Sequence, residues 1–210
     1  MPFGYLGTTP NQQIKNSGVF SVEEALQVQK DGEWGGSLQL ISTVSFSSVT
    51  STIEFTNIQE NKYDVHLIEL TAINNGAGGS FYVRTSQDNG SSFDGTTGDY
   101  QHTTQRMWGD GNFYESYSNN ASAMEIYGQS GNGGEPTNRY IYIYNAGNSN
   151  KYTFITTQSS NWDNKFKGTF GGGVRNNAHT VNAIQLFTNV GGGFSSATAK
   201  LYGVKQIWVT

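Results

Sequence analysis

The sequence predicts an all-β protein whose strands form a two-sheet sandwich. From Leu38 onward, apolar and polar residues alternate with a period of two, as in a strand with one buried face. Turns rich in Gly and Asn separate these segments, and Gly alone contributes 27 of the 210 residues. The 13% aromatic content supplies apolar area for a core. Nine or ten such strands with no second helix favour the jelly-roll type of sandwich.

The alternating segments give the predicted strands in chain order. They are Leu38–Phe46, Thr52–Asn57, Tyr63–Ile73, Ser80–Thr85, Ala123–Tyr127, Arg139–Asn145, Tyr152–Thr157, Lys167–Val174, Val181–Thr188 and Thr198–Trp208. The stretch from Asp94 to Asn120 is the least regular, and we predict long loops there with one strand at most.

Residues 1–36 are predicted to be an anchoring segment, and residues 37–210 the sandwich domain. An extended arm comes first, followed by one short helix. Ser21 is placed as its N-cap with Glu24 completing a capping box, and Asp31-Gly32 ends it. A helix of about ten residues is not stable alone, so we expect it to dock on the body or on a neighbouring protein. The predicted anchoring side chains are Phe3, Tyr5, Leu6, Ile14, Phe20, Val22 and Leu26.

Composition argues against several classes of partner. The net charge is −4 and the 12 Lys and Arg residues are scattered, which disfavours nucleic acid binding. No apolar run approaches 18 residues, so we expect no membrane insertion. The sequence contains no Cys, which excludes disulfides and suits synthesis in a reducing cytoplasm.

One predicted strand carries apolar residues on both faces. In Arg139–Asn145, Ile141 and Ile143 are expected to point to the core, while Tyr140, Tyr142 and Tyr144 point away from it. The tyrosines then face loops, the docked helix or another subunit, and because Tyr is enriched at protein interfaces we predict a subunit interface. The alternative is a row of tyrosines on a solvated sheet.

Other aromatic residues are candidates for contact with sugars. They lie in predicted loops beside Asn, Asp and Gly, a mixture that can stack on sugar rings and hydrogen-bond their hydroxyl groups. The alternative is that the loops fold over their own aromatic residues. The candidates are Trp108, Tyr114, Tyr117 and Trp162.

Residues able to perform chemistry are poorly represented. His66, His102 and His179 have no metal-ligand spacing, and His66 is expected to be a hydrogen-bonded sheet histidine. We predict no metal and no cofactor; cation binding by Asp94, Asp99 and Asp110 is the alternative. Hydrolysis at an unrecognised carboxylate pair also stays open.

The segment 86–93 resembles the aspartate-box hairpin of sialidases, in which Asp and Gly set a tight turn. Its single copy predicts a stable turn.

Several short segments resemble structural proteins of tailed phages from marine and cyanobacterial hosts. The similarity lies in residues 17–26 with Gly32-Glu33-Trp34, and in the ending Ala199-Lys200-Leu201-Tyr202-Gly203-Val204-Lys205. Residues 63–67 and 147–152 are also similar to that group. The resemblance implies a non-enzymatic virion protein with a jelly-roll body, made in the host cytoplasm and displayed on the particle surface. It also implies an oligomer, for which we expect a homotrimer, bound to other capsid or tail proteins.

Within this class, a capsid decoration or head fibre is slightly favoured over a tail fibre, because residues 1–36 contain no heptad repeats for a shaft. The alternative function is a carbohydrate-binding module that recognises a host surface glycan.

Overall fold

The computed structural model describes residues 22–23, 37–75, 79–126, 135–162, 164–189 and 193–205. The chain divides into two units, Met1–Ser37 and Leu38–Thr210. In the first unit, the described residues Val22 and Glu23 are helical and Val22 is exposed. The remainder of the predicted arm and helix, with Phe3, Tyr5, Leu6, Ile14, Phe20 and Leu26, lies outside the described residues.

The second unit is built from twelve strands. They are β1 (Leu38–Phe46), β2 (Thr52–Thr56), β3 (Val65–Asn75), β4 (Phe81–Ser86), β5 (Tyr100–Trp108), β6 (Phe113–Ala121), β7 (Met124–Glu125), β8 (Thr137–Tyr144), β9 (Thr153–Trp162), β10 (Phe166–Arg175), β11 (Ala183–Thr188) and β12 (Phe194–Val204).

The strands form two antiparallel sheets in a sandwich-like arrangement. The larger sheet has eight strands in the order β1-β12-β3-β8-β9-β10-β5-β6, and the smaller has four in the order β2-β11-β4-β7. Strand pairs from the two ends of the unit are nested: β1 pairs with β12, β2 with β11, β3 with β8 and β4 with β7. The hairpins β5–β6 and β9–β10 widen the larger sheet beyond β8.

An apolar core lies between the two sheets. The smaller sheet contributes buried residues such as Phe55, Phe81 and Leu186, and the larger sheet contributes residues such as Ile68 and Leu201. These residues occupy alternate strand positions, which is why the sequence pattern has a period of two. The all-β prediction and the two-sheet prediction are both confirmed.

Beyond β8, the inner face of the larger sheet carries many buried polar side chains beside apolar core residues such as Ile155. Arg139 on β8 is fully buried and donates hydrogen bonds to the Ile126 carbonyl oxygen, to Thr157 Oγ1 at 3.1 Å and to Ser159 Oγ at 3.2 Å. Burial lowers the pKa of Arg139 to about 9, so its guanidinium stays protonated at neutral pH. The buried inner positions of β9, β10 and β5 continue this polar layer and include Thr157, Ser159, Asn161, Lys167, Thr169, Arg175 and Thr104.

The prediction of loops between Asp94 and Asn120 was wrong, because β5 and β6 lie in this stretch. The inner positions of β5 include His102, Thr104 and Arg106, so the segment lacks the apolar alternation that marks a half-buried strand. The same polar layer explains why β9 was predicted to end at Thr157, whereas the strand continues to Trp162.

His66 is a buried, hydrogen-bonded sheet residue, as predicted. Its Nε2 donates to the Ile58 carbonyl oxygen at 2.9 Å, and its ring lies edge-on to the ring of Tyr63. Burial lowers the pKa of His66 to about 4, although the Ile58 carbonyl acts in the opposite direction. The folded protein therefore holds a neutral imidazole at this position.

This burial predicts a loss of stability in acid. Between pH 6.5 and pH 4 the unfolded chain binds a proton at His66 that the folded chain does not, so protonation favours unfolding. The variant His66→Gln has no titratable group at this position, so it should lack this acid-dependent loss of stability. We expect the free energy of unfolding of the wild type, relative to that variant, to fall by about 3 kcal/mol from pH 7 to pH 4. Denaturant titrations at the two pH values would show it, and an unchanged difference would contradict the assignment.

A second prediction concerns the close approach of β9 and β10 at Gly172. A Cβ atom at this position would overlap the carbonyl oxygen of Ile155 on the neighbouring strand. Because that oxygen belongs to the sheet backbone, Gly172→Ala should destabilise the protein by about 2–4 kcal/mol. At the matched control Gly109→Ala, the added Cβ would meet Phe166 O at an ordinary 3.5 Å, and the cost should stay within about 0.5 kcal/mol. Equal thermal unfolding midpoints for the two variants would contradict this account.

Candidate functional site

The outer face of the widened sheet carries a concentration of exposed aromatic side chains. It is formed by the positions of β8, β9, β10, β5 and β6 that alternate with the buried ones. We call it the aromatic face and define it by Phe113, Tyr117, Tyr140, Tyr142, Phe154, Trp162, Phe166 and Phe170, all of which are exposed. Large exposed apolar patches are often interaction sites, so this face is the candidate functional surface.

The predicted orientation of the β8 tyrosines is confirmed. Ile141 and Ile143 are fully buried, whereas Tyr140 is 50% exposed. Tyr142 is also exposed, and its ring is stacked 6.4 Å from that of the half-buried Tyr144. Their role as a subunit interface stays a prediction.

Three grooves adjoin one another along the aromatic face. The glycine groove, of about 800 Å³, lies over Gly171–Gly173 on β10. The tyrosine groove, of about 610 Å³, is lined by Tyr140, Tyr142, Tyr144 and Phe170. The third, of about 750 Å³, lies between Phe166, Met107 and Asn138. Among the described residues, no Asp, Glu, Lys or Arg lines any of the three.

The structure separates the four aromatic residues predicted to contact sugars. Contrary to the prediction, none lies in a loop: Trp108 is in β5, Tyr114 and Tyr117 are in β6, and Trp162 is in β9. Tyr117 lines the glycine groove, while Trp162 lies at the far end of the aromatic face opposite Phe166. These two residues therefore belong to one surface but not to one groove.

Trp108 and Tyr114 lie on the opposite side of the sheet and pack together with ring centroids 4.4 Å apart. The Nζ atoms of Lys165 and Lys167 lie 4.8 Å and 4.6 Å from the Trp108 centroid, within the range of cation–π attraction. Among the described residues, the buried Trp108 Nε1 atom has no hydrogen-bond partner. Both aromatic residues lie in strands and Tyr114 is 41% exposed, so this packing differs from the alternative in which loops fold over their own aromatic residues.

The three acids considered as cation ligands are engaged in ion pairs. Asp94 Oδ2 lies 3.2 Å from Arg175 Nε, and Asp99 Oδ1 lies 3.0 Å from Arg175 Nη1. Asp110 pairs with Lys165, and that pair lowers the pKa of Asp110. Within the described parts of the chain, no group of three or more metal-ligating side chains occurs.

The aspartate-box segment forms a tight turn, as the sequence predicts, and is also hydrogen-bonded to Asn57 and Asn182. Asp88 accepts hydrogen bonds from Ser92 Oγ at 2.6 Å, Ser86 Oγ at 2.7 Å and Ser92 N at 2.9 Å. These bonds lower the pKa of Asp88 to about 2, and the bond from the Ser92 hydroxyl contributes most to this shift. Asn89 and Gly90 have φ angles of 58° and 85°, which suit Asn and Gly.

A cluster of Ser, His and Glu joins β5, β6 and β7. Ser116 Oγ donates to Glu125 Oε2 at 2.7 Å, and His102 Nε2 lies 3.9 Å from the same oxygen. Burial lowers the pKa of His102. An activated serine would have to donate to the imidazole, whereas this hydroxyl donates to the carboxylate. The cluster therefore connects strands without the contact that a serine nucleophile needs.

No family model, no curated protein and no solved structure matches this chain. Among the residues that the structure describes, no helix has the length and apolar character needed to cross a membrane.

Proposed function

We propose that this protein is a non-enzymatic structural subunit of a bacteriophage virion that displays its β-sandwich on the particle surface. The observation that carries the proposal is the aromatic face, a large exposed apolar surface on an otherwise self-sufficient sandwich. Such a surface is expected on a subunit that is covered by neighbours in an assembly. The resemblance of the short segments to tailed-phage virion proteins is the reason to propose a phage particle as this assembly. The anchoring segment attaches the subunit to the capsid or the tail, with a capsid decoration or head fibre favoured.

We also propose that the sandwich is a jelly roll. The nested strand pairs support this assignment, because a jelly roll is a long antiparallel ribbon of paired strands rolled into two four-stranded sheets. Four successive pairs of this ribbon, β1–β12, β2–β11, β3–β8 and β4–β7, alternate here between the larger and the smaller sheet. The hairpins β5–β6 and β9–β10 are then insertions into two loops of the ribbon.

Self-association through the β8 tyrosines follows from the same proposal. Tyr140 and Tyr142 are exposed on β8, at one edge of the aromatic face, and tyrosine side chains supply large contact area at interfaces with little loss of conformational entropy. We assign these residues to the contact between copies of a homotrimer.

Charged replacements should disrupt that contact. The double variant Tyr140→Asp, Tyr142→Asp is expected to convert a trimer into a monomer, because burying two carboxylates in an apolar interface is strongly unfavourable. Light scattering coupled to size-exclusion chromatography measures the molar mass directly. The matched control is Tyr152→Asp, an exposed tyrosine outside the three grooves, which should remain a trimer. A monomeric wild type, or a double variant that stays trimeric, would refute the assignment.

Attachment by the arm can be tested separately in the full-length chain. Replacing Phe3, Tyr5 and Leu6 by Ser should abolish incorporation into particles without changing the thermal unfolding of the sandwich, because the apolar contacts of the anchor are multiplied by valency in the oligomer. Quantitative mass spectrometry of purified particles gives the copy number. Replacing Thr8, Thr9 and Gln12 by Ala is the control and should leave the copy number unchanged. Full occupancy of the Ser variant would argue against anchoring by this segment.

A second candidate function is recognition of a host surface glycan. The observation that favours it is the glycine groove, which combines exposed aromatic rings with uncharged polar side chains. A displayed virion protein can perform both functions, since self-association and glycan binding would use different grooves of the aromatic face.

A further inference from the structure

We infer that the glycine groove binds an uncharged oligosaccharide, with Tyr117 and Phe154 as its two stacking walls. This inference deepens the second candidate function and rests on it. The sugar contacts are then made in a groove that runs across four strands of the larger sheet. Of the four residues predicted from the sequence, Tyr117 lines this groove, whereas Trp108, Tyr114 and Trp162 do not.

The groove owes its shape to the glycine run of β10. Gly172 pairs with Thr156 on β9 and with Thr103 on β5, and Thr103 pairs with Tyr117 on β6. Gly172 therefore leaves the floor of β10 without a side chain at this position, while Phe154 on β9 and Tyr117 on β6 carry large ones. β9 and β6 are three strand spacings apart, about 14 Å, which leaves room for more than one sugar ring between the walls. The volume of about 800 Å³ is typical of a ligand site.

The walls of the groove present aromatic rings to solvent. Tyr117 is 74% exposed and Phe154 is 46% exposed, although both side chains are largely apolar. A pyranose ring has an apolar face of C–H groups that packs on an aromatic ring, and a rim of hydroxyl groups that needs hydrogen-bond partners. Gln101, Thr103 and Thr156 line the same groove and supply an amide and two hydroxyl groups.

The charge of the groove determines which ligands fit. No Asp, Glu, Lys or Arg is among the described residues that line it. Of the described residues that line the groove, only His102 has a basic side chain. That side chain lies on the inner face of the sheet, with its Nε2 atom 3.9 Å from Glu125. A phosphorylated, sulfated or uronic acid ligand would find no cation here, and a cationic ligand would find no carboxylate. An uncharged saccharide matches this lining.

The hydrogen bonding of β10 argues against a peptide strand as the occupant. A peptide that adds to a sheet needs a free strand edge. β10 is paired on one side with β9 and on the other with β5 along its whole length, so its backbone groups are already bonded. Recognition in the groove must therefore use side chains.

The test uses the full-length protein and isothermal titration calorimetry. The probes are neutral hexasaccharides of glucose, mannose, galactose and N-acetylglucosamine, with a hexasaccharide of hyaluronan as the anionic comparator. We expect at least one neutral probe to bind and the anionic probe not to bind. Tyr117→Ala and Phe154→Ala should each weaken that binding about tenfold or more, which is the loss of one good stacking contact.

Matched control variants distinguish the loss of a stacking contact from a loss of folding stability. Tyr152→Ala removes an aromatic side chain that is also 46% exposed and lies two residues from Phe154 but outside the groove, so its affinity should stay within about twofold of the wild type. Gln101→Leu keeps the volume and removes the amide, and should weaken binding without changing the thermal unfolding midpoint.

Three results would overturn the inference. They are no binding of any neutral probe at millimolar concentration, binding that Tyr117→Ala and Phe154→Ala leave unchanged, or binding of the anionic probe alone. A loss of the oligomer in Tyr117→Ala, without any glycan binding by the wild type, would assign the groove to a second copy of the chain. The structural proposal fails on different measurements, namely the oligomeric state of the Tyr140/Tyr142 variant and the copy number on particles.

Discussion

The buried Arg139 is the constraint on which the interior of the sandwich depends. The apolar core extends beyond β8 to Ile155 of β9 and Tyr100 of β5, and β7 of the smaller sheet contacts β10, β5 and β6. On the same inner face lie the buried side chains of Thr157 and Ser159, which accept hydrogen bonds from Arg139. A buried guanidinium is stable only when its N–H groups are paired, so these hydrogen bonds order the part of the polar layer that lies behind the aromatic face.

Function is proposed for the side of the sheet that this layer supports. The outer positions of β8, β9, β10 and β6 hold exposed aromatic rings at fixed strand spacing on a rigid sheet. A rigid support reduces the entropy lost when a partner or ligand binds. Strand β8 and the hairpins β5–β6 and β9–β10 therefore carry the aromatic face, and the apolar core lies between the two sheets.

The sequence predicted the sandwich well because its strands have one apolar face and one polar face. The limits of β1 were predicted to the residue, and the orientation of the β8 tyrosines followed from simple alternation. β5 and β6 were missed because Thr104 and Arg106 occupy inner positions and Phe113 and Tyr117 occupy outer ones, which inverts the usual pattern. The glycine groove was not predicted, since it joins residues from β5, β6, β9 and β10 whose register appears only in the folded chain. Its visible signals in the sequence were the run Gly171–Gly173 and Tyr117, a predicted sugar contact that lines the groove.

Among the described residues, no Asp, Glu, Lys or Arg lines the three grooves, which has a physical consequence for how contacts made there depend on salt. Dissolved ions weaken contacts between exposed charges, with a Debye length of about 10 Å at 0.1 M and about 3 Å at 1 M. Contacts made through stacked rings and neutral hydrogen bonds are not screened in this way. An adhesive or assembly surface of this composition keeps its strength across ionic strengths, from dilute medium to brine.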